Sequence, residues 1–587
     1  MTSRSRMAAA VLSLAALSLP RSSRADWPAN PLVNLPICTA ANQQTIPQVA
    51  TDMAGGAFIT WQDFRSGVDS DIYAQRVLAS GVADPGWAVN GRAVCAIAAS
   101  QFVPRIVSDA AGGAIIAWGD RRNGSTSDIY AHHLLQNGTV DPVWPANGLP
   151  VCTAGGDQNT IAMVADAAGG AIVAWLDFRT DTTLYAQHVL AGGLVDGAWP
   201  VDGRSMGGRA ANHQTFPMVS DGKGGAIVAW SDSRVSPVPD VYAQCVRVGG
   251  AIAAGWPADG VALCTAADRQ QIATMASDGA GGAIVAWEDQ RSGTTTDIYA
   301  QHVKSNGAVD AAWPADGRAV CAAAGNQTRP QILRDGGSGS GAIVAWRDTR
   351  AGSVPNLYAQ HVLASGVLDP TWPAGDLAFC TASGDQFNLS LVSDGMGGAL
   401  GVWDDARGGT LDIFAQHLLA TGAVDPAWPV DRRGASTESH QQNAASVIPD
   451  GSGGFIAAWT DGRPGAGIND VYAQRVQANG QLGGTVVGVP RRSGAGLALK
   501  PPYPNPWHGG SLALGFSLES EGPALLEIMD GGGRVVAKRD AGRFGSGAHE
   551  VRLEDLPAFS PGLYFVVLRA ETNRGRATRT TPLVVLR

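Results

Sequence analysis

The chain has 587 residues, room for two to four domains, with 76 Gly, 33 Pro, 17 Trp, 45% apolar and 16% charged residues. Enough apolar content for a large core, few charges and a Gly plus Pro share short of low complexity exclude collagen-like, coiled-coil and disordered chains. A formal net charge of -9 speaks against nucleic acid as a partner, and most of the acid lies between residues 26 and 487, because the first 25 residues carry four Arg and no acid.

Arg4 and Arg6 precede an apolar run from Met7 to Leu19, and Ser23-Arg24-Ala25 supplies small residues at the two positions a signal peptidase reads. An export signal over 1–25 with cleavage after Ala25 is expected. A membrane-spanning helix needs about 20 apolar residues, and Pro20 and Arg21 end this run too early. No later segment is long and apolar enough to span a membrane as a helix.

From residue 26 to 487 one unit recurs eight times. Its core reads G-G-A-I-V-A-W-x-D-x-R, with Trp at 61, 118, 175, 230, 287, 346, 403 and 459, spaced 55 to 59 residues apart. The unit around Trp287 reads as four strands. Gln271 to Ser277 is the first, followed by the tight turn Asp278-Gly279-Ala280-Gly281-Gly282. Ala283 to Asp289 is the second, near-continuously apolar as a strand buried on both faces must be. Asp297 to Lys304 is the third, and Arg318 to Ala322 the fourth, after a long turn carrying Asp310, Trp313 and Pro314. Four-stranded units repeated this often predict an all-β chain, an eight-bladed β-propeller. The eighth unit stops at its third strand, near Val471 to Gln477, while Asp26 to Thr39 matches the late part of a unit. The N-terminal segment is therefore expected to complete the last blade and close the ring; an open solenoid is the alternative.

Seven Cys in an exported chain invite disulfide counting. Cys38, Cys95, Cys152, Cys264, Cys321 and Cys380 share one repeat position, too far apart to bond one another, and read as small buried hydrophobes. Cys245 and Cys264 fall on successive strands of one unit and can pair.

The units resemble the BNR repeats of sialidase-like propellers. Val285 to Gly293, V-A-W-E-D-Q-R-S-G, followed by Asp297-Ile298-Tyr299 carries the likeness, although the turn from Asn306 to Trp313 lacks the Asp-box consensus. The resemblance implies the propeller fold. It does not carry catalysis: sialidases use an arginine triad, a Tyr–Glu pair and an Asp acid, whereas Glu occurs between 26 and 487 only as Glu288 and Glu438 and the Arg residues sit at equivalent repeated positions.

The tail reads as a separate module, with a linker over 488–500 and a domain over 501–587. Strands are expected at Leu512 to Leu518, Ala524 to Met529, Arg534 to Lys538, Glu550 to Leu553, Gly562 to Arg569 and Thr581 to Leu586. It is similar to the Ig-like C-terminal domain of FlgD-like proteins and the type A sorting domain of type IX secretion, through Tyr503-Pro504-Asn505-Pro506, Asp530 to Arg534, Gly547 to Glu550 and Pro561 to Phe565. That likeness implies a small β-sandwich serving export or attachment, with the export machinery as its partner.

Three sets of repeated polar residues carry the candidate chemistry. Gln44, Gln101, Gln158, Gln214, Gln270, Gln327, Gln386 and Gln442 recur just before the first strands, which line the central channel, and are expected to ring one mouth of it. Arg65, Arg122, Arg179, Arg234, Arg291, Arg350, Arg407 and Arg463, each with the Asp two residues before it, come to the same face, as does the Asp opening most third strands. One reading is a polar rim that binds sugar hydroxyls; the other is a hydrogen-bond and ion-pair network between blades, since a guanidinium fork and a carboxylate satisfy each other. His133, His188, His302, His361 and His417 suggest a metal by type, yet each lies on a different blade and cannot converge on one ion. The Asp of D-G-x-G-G has too few oxygen neighbours for a calcium loop and reads as a turn cap.

Together these features predict an exported, non-catalytic binding or display protein at the cell surface or outside it, monomeric, with a carbohydrate or a surface protein as ligand and no metal or cofactor. A glycan-active hydrolase of the sialidase-like class is the alternative, and a purely structural scaffold a third. Symmetry separates them: an enzyme breaks the repeat at one site, and a multivalent lectin keeps it.

Overall fold

The apolar run Ala283–Asp289 is buried along its whole length and pairs with Gln270–Ser277 on one side and Asp297–Val303 on the other, with Arg318–Cys321 outermost. The computed structural model describes residues 26–207, 216–235, 238–336, 341–429, 433–465 and 467–484, and most of 498–585. In it, this four-stranded antiparallel sheet occurs eight times. The first strand of each sheet touches the first strands of its neighbours, and the last of them, Gln442–Pro449, meets the first, Gln44–Thr51. The result is a closed eight-bladed β-propeller. No helix occurs among the described residues.

Blades one to seven are continuous in sequence, from Gln44–Cys95 to Gln386–Ser436; the eighth holds Gln442–Pro449, Phe455–Asp461 and Asp470–Val476. Its outer strand is Leu35–Cys38, with Leu35 opposite Ala473 and Cys38 opposite Val471. The glycines of the unit have steric causes. A Cβ on Gly282 would lie 2.3 Å from the Val303 carbonyl oxygen, and one on Gly317, at φ 97°, would lie 2.7 Å from the Trp287 ring.

Contacts divide the chain into two units, Met1–Thr485 and Val486–Arg587. The second is a β-sandwich. One sheet pairs Ala498–Leu499, Leu512–Leu518 and Gly547–Leu553; the other pairs Val535–Phe544, Gly522–Asp530, Gly562–Thr572 and Gly575–Val585. Alternate residues Leu512, Leu514, Phe516 and Leu518 face Leu526, Ile528, Val566 and Leu568 in its core. Ala498 and Leu499, expected in the linker, pair with Ser517 and Phe516. The export signal, the rest of the linker and Tyr503–Pro506 lie outside the described residues.

Cys38, Cys95, Cys152, Cys245, Cys264 and Cys321 are reduced and buried, and burial pushes their thiols up to about 12. The pairing of Cys245 with Cys264 does not form: Cys245 stands opposite Ile227 and Cys264 opposite Val241.

Candidate functional site

Antiparallel pairing puts Gln270, Asp289 and Asp297 side by side across blade five, and blades one, two, seven and eight repeat the row, while Thr183 and Asn356 replace the last Asp in blades three and six. Asp289 is saturated. It accepts the Trp287 indole N–H at 2.8 Å, the Arg291 backbone N–H at 2.9 Å and Arg291 Nε at 2.8 Å, and Arg291 Nη2 lies 2.6 Å away. Arg291 Nη2 also reaches the Asp316 carbonyl of its own blade at 2.7 Å and Cys264 Sγ of blade four at 3.1 Å. Its guanidinium carbon sits 3.9 Å from the Tyr299 ring centroid. The ion pair and the stacked ring recur in all eight blades, with Phe414 replacing Tyr in blade seven.

The residues expected at a sugar-binding rim are placed as follows. Gln44, Gln101, Gln158, Gln270, Gln327, Gln386 and Gln442 are 0% exposed, their amides donating to carbonyls of the loop just before them. Gln214 lies outside the described residues. Arg65, Arg122, Arg179, Arg234, Arg291, Arg350, Arg407 and Arg463 each give their fork to the Asp two residues before. The glutamine side chains are buried out of a sugar's reach, and each guanidinium is anchored on its own aspartate, so burial and pairing favour the hydrogen-bond and ion-pair network over the rim.

The five His are placed alike. His302 Nδ1 lies 2.9 Å from Asp310, its Nε2 3.0 Å from Asp278, and its ring against Trp313. His133, His188, His361 and His417 repeat this. Blades one and eight put Arg76 and Arg475 at this register, each on the Asp of its own turn, whereas blade four has Cys245 there and Arg247, two residues on, reaches Asp221. Those Asp cap the turn, Asp278 Oδ1 accepting the Ala280 and Gly282 N–H groups.

The arrangement has a pH signature. Burial works against charge on His302 and His417, but their paired carboxylates outweigh it and raise both rings. Their contribution is complete below the unfolded value of about 6.5 and is lost as pH rises through the folded values. Burial works against charge on Asp310, but Lys304, a backbone N–H and His302 outweigh it and lower it to about 2, so its share is complete above about 3.8 and is lost progressively as pH falls from there through about 2. His302→Arg with His417→Arg, copying blades one and eight, is expected to flatten the alkaline loss of stability. Melting temperatures of both proteins from about pH 5 to about pH 9 check this, and a constant gap between them would sink it.

The position between Trp and Asp breaks the eightfold symmetry in charge. The residue there is Gln62, Gly119, Leu176, Ser231, Glu288, Arg347, Asp404 or Thr460. It faces a bulge in the first strand of the next blade, where Ile46, Val103, Thr160, Arg329, Asn388 and Ala444 take φ values of 46° to 57°, strained for the β-branched ones. Where the side chain is an acceptor it caps the bulge N–H: Glu288 takes Arg329 N at 2.7 Å, and Asp404 takes Ala444 N at 3.0 Å and Asn388 Nδ2 at 2.7 Å. Burial raises the Glu288 carboxyl and raises Asp404 to about 6, against those same hydrogen bonds.

Blades five to seven thus hold the one run of consecutive charges at this position. Arg347 lies between the acids, its guanidinium carbon 4.8 Å from the Phe387 ring centroid and Nη2 3.5 Å from Asp385. At the same place Asp157 and Asn326 accept the backbone N–H of Ser127 and Thr296. Opposite Asp385 stands Pro355, which has no N–H to give. Arg329 and Asn388 are exposed beside these groups. Gln271, opposite Glu288, accepts Arg269 Nη1 at 3.2 Å, and Arg269 lines a cleft of about 510 Å³ with Asp268, Gln290, Thr294, Thr295 and Asn326. The repeat hid this site because its signal is a variable position between the invariant Trp and Asp of the motif.

No protein-family model matches the chain, and a comparison with curated proteins gives no match. Solved structures similar to it include a Dyadobacter fermentans protein of unknown function, at 11% identity over 64% of this chain and 94% of that one, TM-score 0.33. An α-L-arabinanase of Penicillium chrysogenum complexed with arabinobiose is 12% identical over 51% and 88%, TM-score 0.30. A polysaccharide lyase, an ulvan lyase, is 10% identical over 77% and 97%, TM-score 0.38. The propeller rests on the strand pairing itself, and these likenesses add no argument about activity.

Proposed function

We infer that the chain is an exported protein that binds carbohydrate at the asymmetric patch on blades five to seven. The observation that carries this is the local loss of symmetry: Arg329, Asn388, Phe387 and the Arg347–Asp385 pair gather on blades six and seven, and Arg269, bonded to Gln271 opposite Glu288, lines a cleft with hydroxyl, amide and carboxylate groups. An aromatic face with flanking donors and acceptors suits a sugar, which presents C–H on its faces and hydroxyls at its edges. Export rests on the sequence over 1–25, and attachment on the resemblance of the tail to sorting domains.

A glycan array probed with the full chain tests the reading. Binding that Arg329→Ala with Asn388→Ala weakens by about tenfold or more is the expected result. A blank array, or hits indifferent to the double variant, would sink it. One observation favours a hydrolase as the second reading: Asp404, at about 6, holds its proton into mildly acidic conditions. Against this, Asp404 is wholly buried and positions Asn388. Hydrolysis of an array ligand that Asp404→Asn abolishes would decide for the enzyme.

A further inference from the structure

The eight inner strands carry three charged residues among those described, Arg105, Arg329 and Arg334, and no carboxylate. Arg105 differs from the guanidiniums that join the blades. Those are matched by an Asp; Arg105 makes one hydrogen bond, from Nη1 to the carbonyl of its own neighbour Pro104 at 3.1 Å. No carboxylate pairs with it among the described residues, and burial, unopposed, pushes its guanidinium down. A guanidinium has five N–H donors, so four are uncommitted. A half-buried cation with no counter-charge, on the inner wall of an acidic body, is costly unless an anion reaches it.

Its neighbours on the ring fit that need. Gln48 of blade one and Ser446 of blade eight occupy the equivalent register, opposite Thr60 and Ala458 as Arg105 is opposite Ala117. Gln48 Nε2 donates to the Pro47 carbonyl at 2.9 Å, which leaves its second N–H. Ser446 Oγ accepts the Val49 N–H at 3.2 Å, which leaves its own proton to give. On the far side blade three has Ala162, which takes up no space. Ser446, Gln48 and Arg105 therefore form an arc of donors on three consecutive inner strands.

We propose that this arc is an anion site on the wall of the central channel, with Arg105 as its anchor and a free inorganic oxyanion, sulfate or phosphate, as its ligand. The site is independent of the patch on blades five to seven, so either can fail alone. Isothermal titration of the full chain with sodium sulfate, and separately with phosphate, at an ionic strength held by sodium chloride, tests it. One saturable site per chain is expected, weakened at least about tenfold by Arg105→Gln. That substitution installs the residue blades one and six already use there, and an unchanged unfolding transition shows that the variant folds. The proposal is overturned if the full chain shows no saturable binding. It is equally overturned if Arg105→Gln binds as tightly as the parent, or if several ions bind per chain with a stoichiometry the variant leaves intact.

Discussion

A chain lacking residues 26–38 is expected to lose the cooperative unfolding of its propeller and to associate in solution. The segment closes the ring through many separate contacts. Leu35–Cys38 supplies the outer strand of blade eight, and Trp27, 1% exposed, packs against blade one with its indole N–H on the Ala79 carbonyl at 3.3 Å. Asn34 donates to the Ala435 carbonyl at 2.8 Å and accepts from Ser436 Oγ at 2.9 Å and Arg463 Nη2 at 3.1 Å. Gln474 Nε2 donates to the Pro28 carbonyl at 2.7 Å. Removing a buried Trp side chain alone costs about 3–5 kcal/mol, against a total domain stability of about 5–15 kcal/mol. The deletion also bares the backbone of Asp470–Val476, an edge ready to pair with another chain. Urea unfolding followed by Trp fluorescence reads the propeller, because all but one of the 17 Trp precede residue 488. Light scattering reads the association. A deleted chain that stays monomeric and unfolds at the parent midpoint would show that the ring does not depend on its clasp; Trp27→Ala, expected to cost about 3–5 kcal/mol, is the milder companion.

Asp289→Ala carries the second large effect, about 3 kcal/mol and toward the lower end of the range for a broken buried ion pair, because Arg291 keeps about a fifth of its side chain in solvent. The loss leaves the Trp287 indole N–H and the Arg291 fork facing one another inside the blade. Asp289→Asn, which keeps one acceptor, is expected to cost less. The same urea experiment separates the two, and equal midpoints for Asp289→Ala and the parent would remove the ion pair from any account of blade stability. Its effect should add to that of the clasp, since blade five stands across the ring from residues 26–38.

The candidate site was legible in the sequence only in part. Asp289 and Arg291 announced themselves by repetition, and the choice between rim and cement turned on burial, which repetition does not report. Glu288, Arg347 and Asp404 were visible as letters but not as neighbours: each caps or flanks the bulge of the blade that follows, about 40 residues away in sequence. The bulge itself had no sequence signature, since Ile46, Val103 and Thr160 are residues that ordinarily avoid positive φ. The five His followed the same logic, because type suggests a metal while only the paired carboxylates on both ring nitrogens reveal a side chain held for structure.

The sequence by itself determined the repeat, the four strands of each blade, the turns that only glycine fits and the closure of the ring by the N-terminal segment. These follow from local rules: a strand alternates or is buried according to its own residues, and a missing strand at one end is matched by a spare one at the other. Only the tertiary structure decided that the glutamines are buried, that the arginines are anchored on their own aspartates, and that Arg105 has no counter-charge among the described residues. Burial and pairing depend on what the adjacent blade presents, and that partner is fixed by closure of the ring rather than by any stretch of the chain read alone.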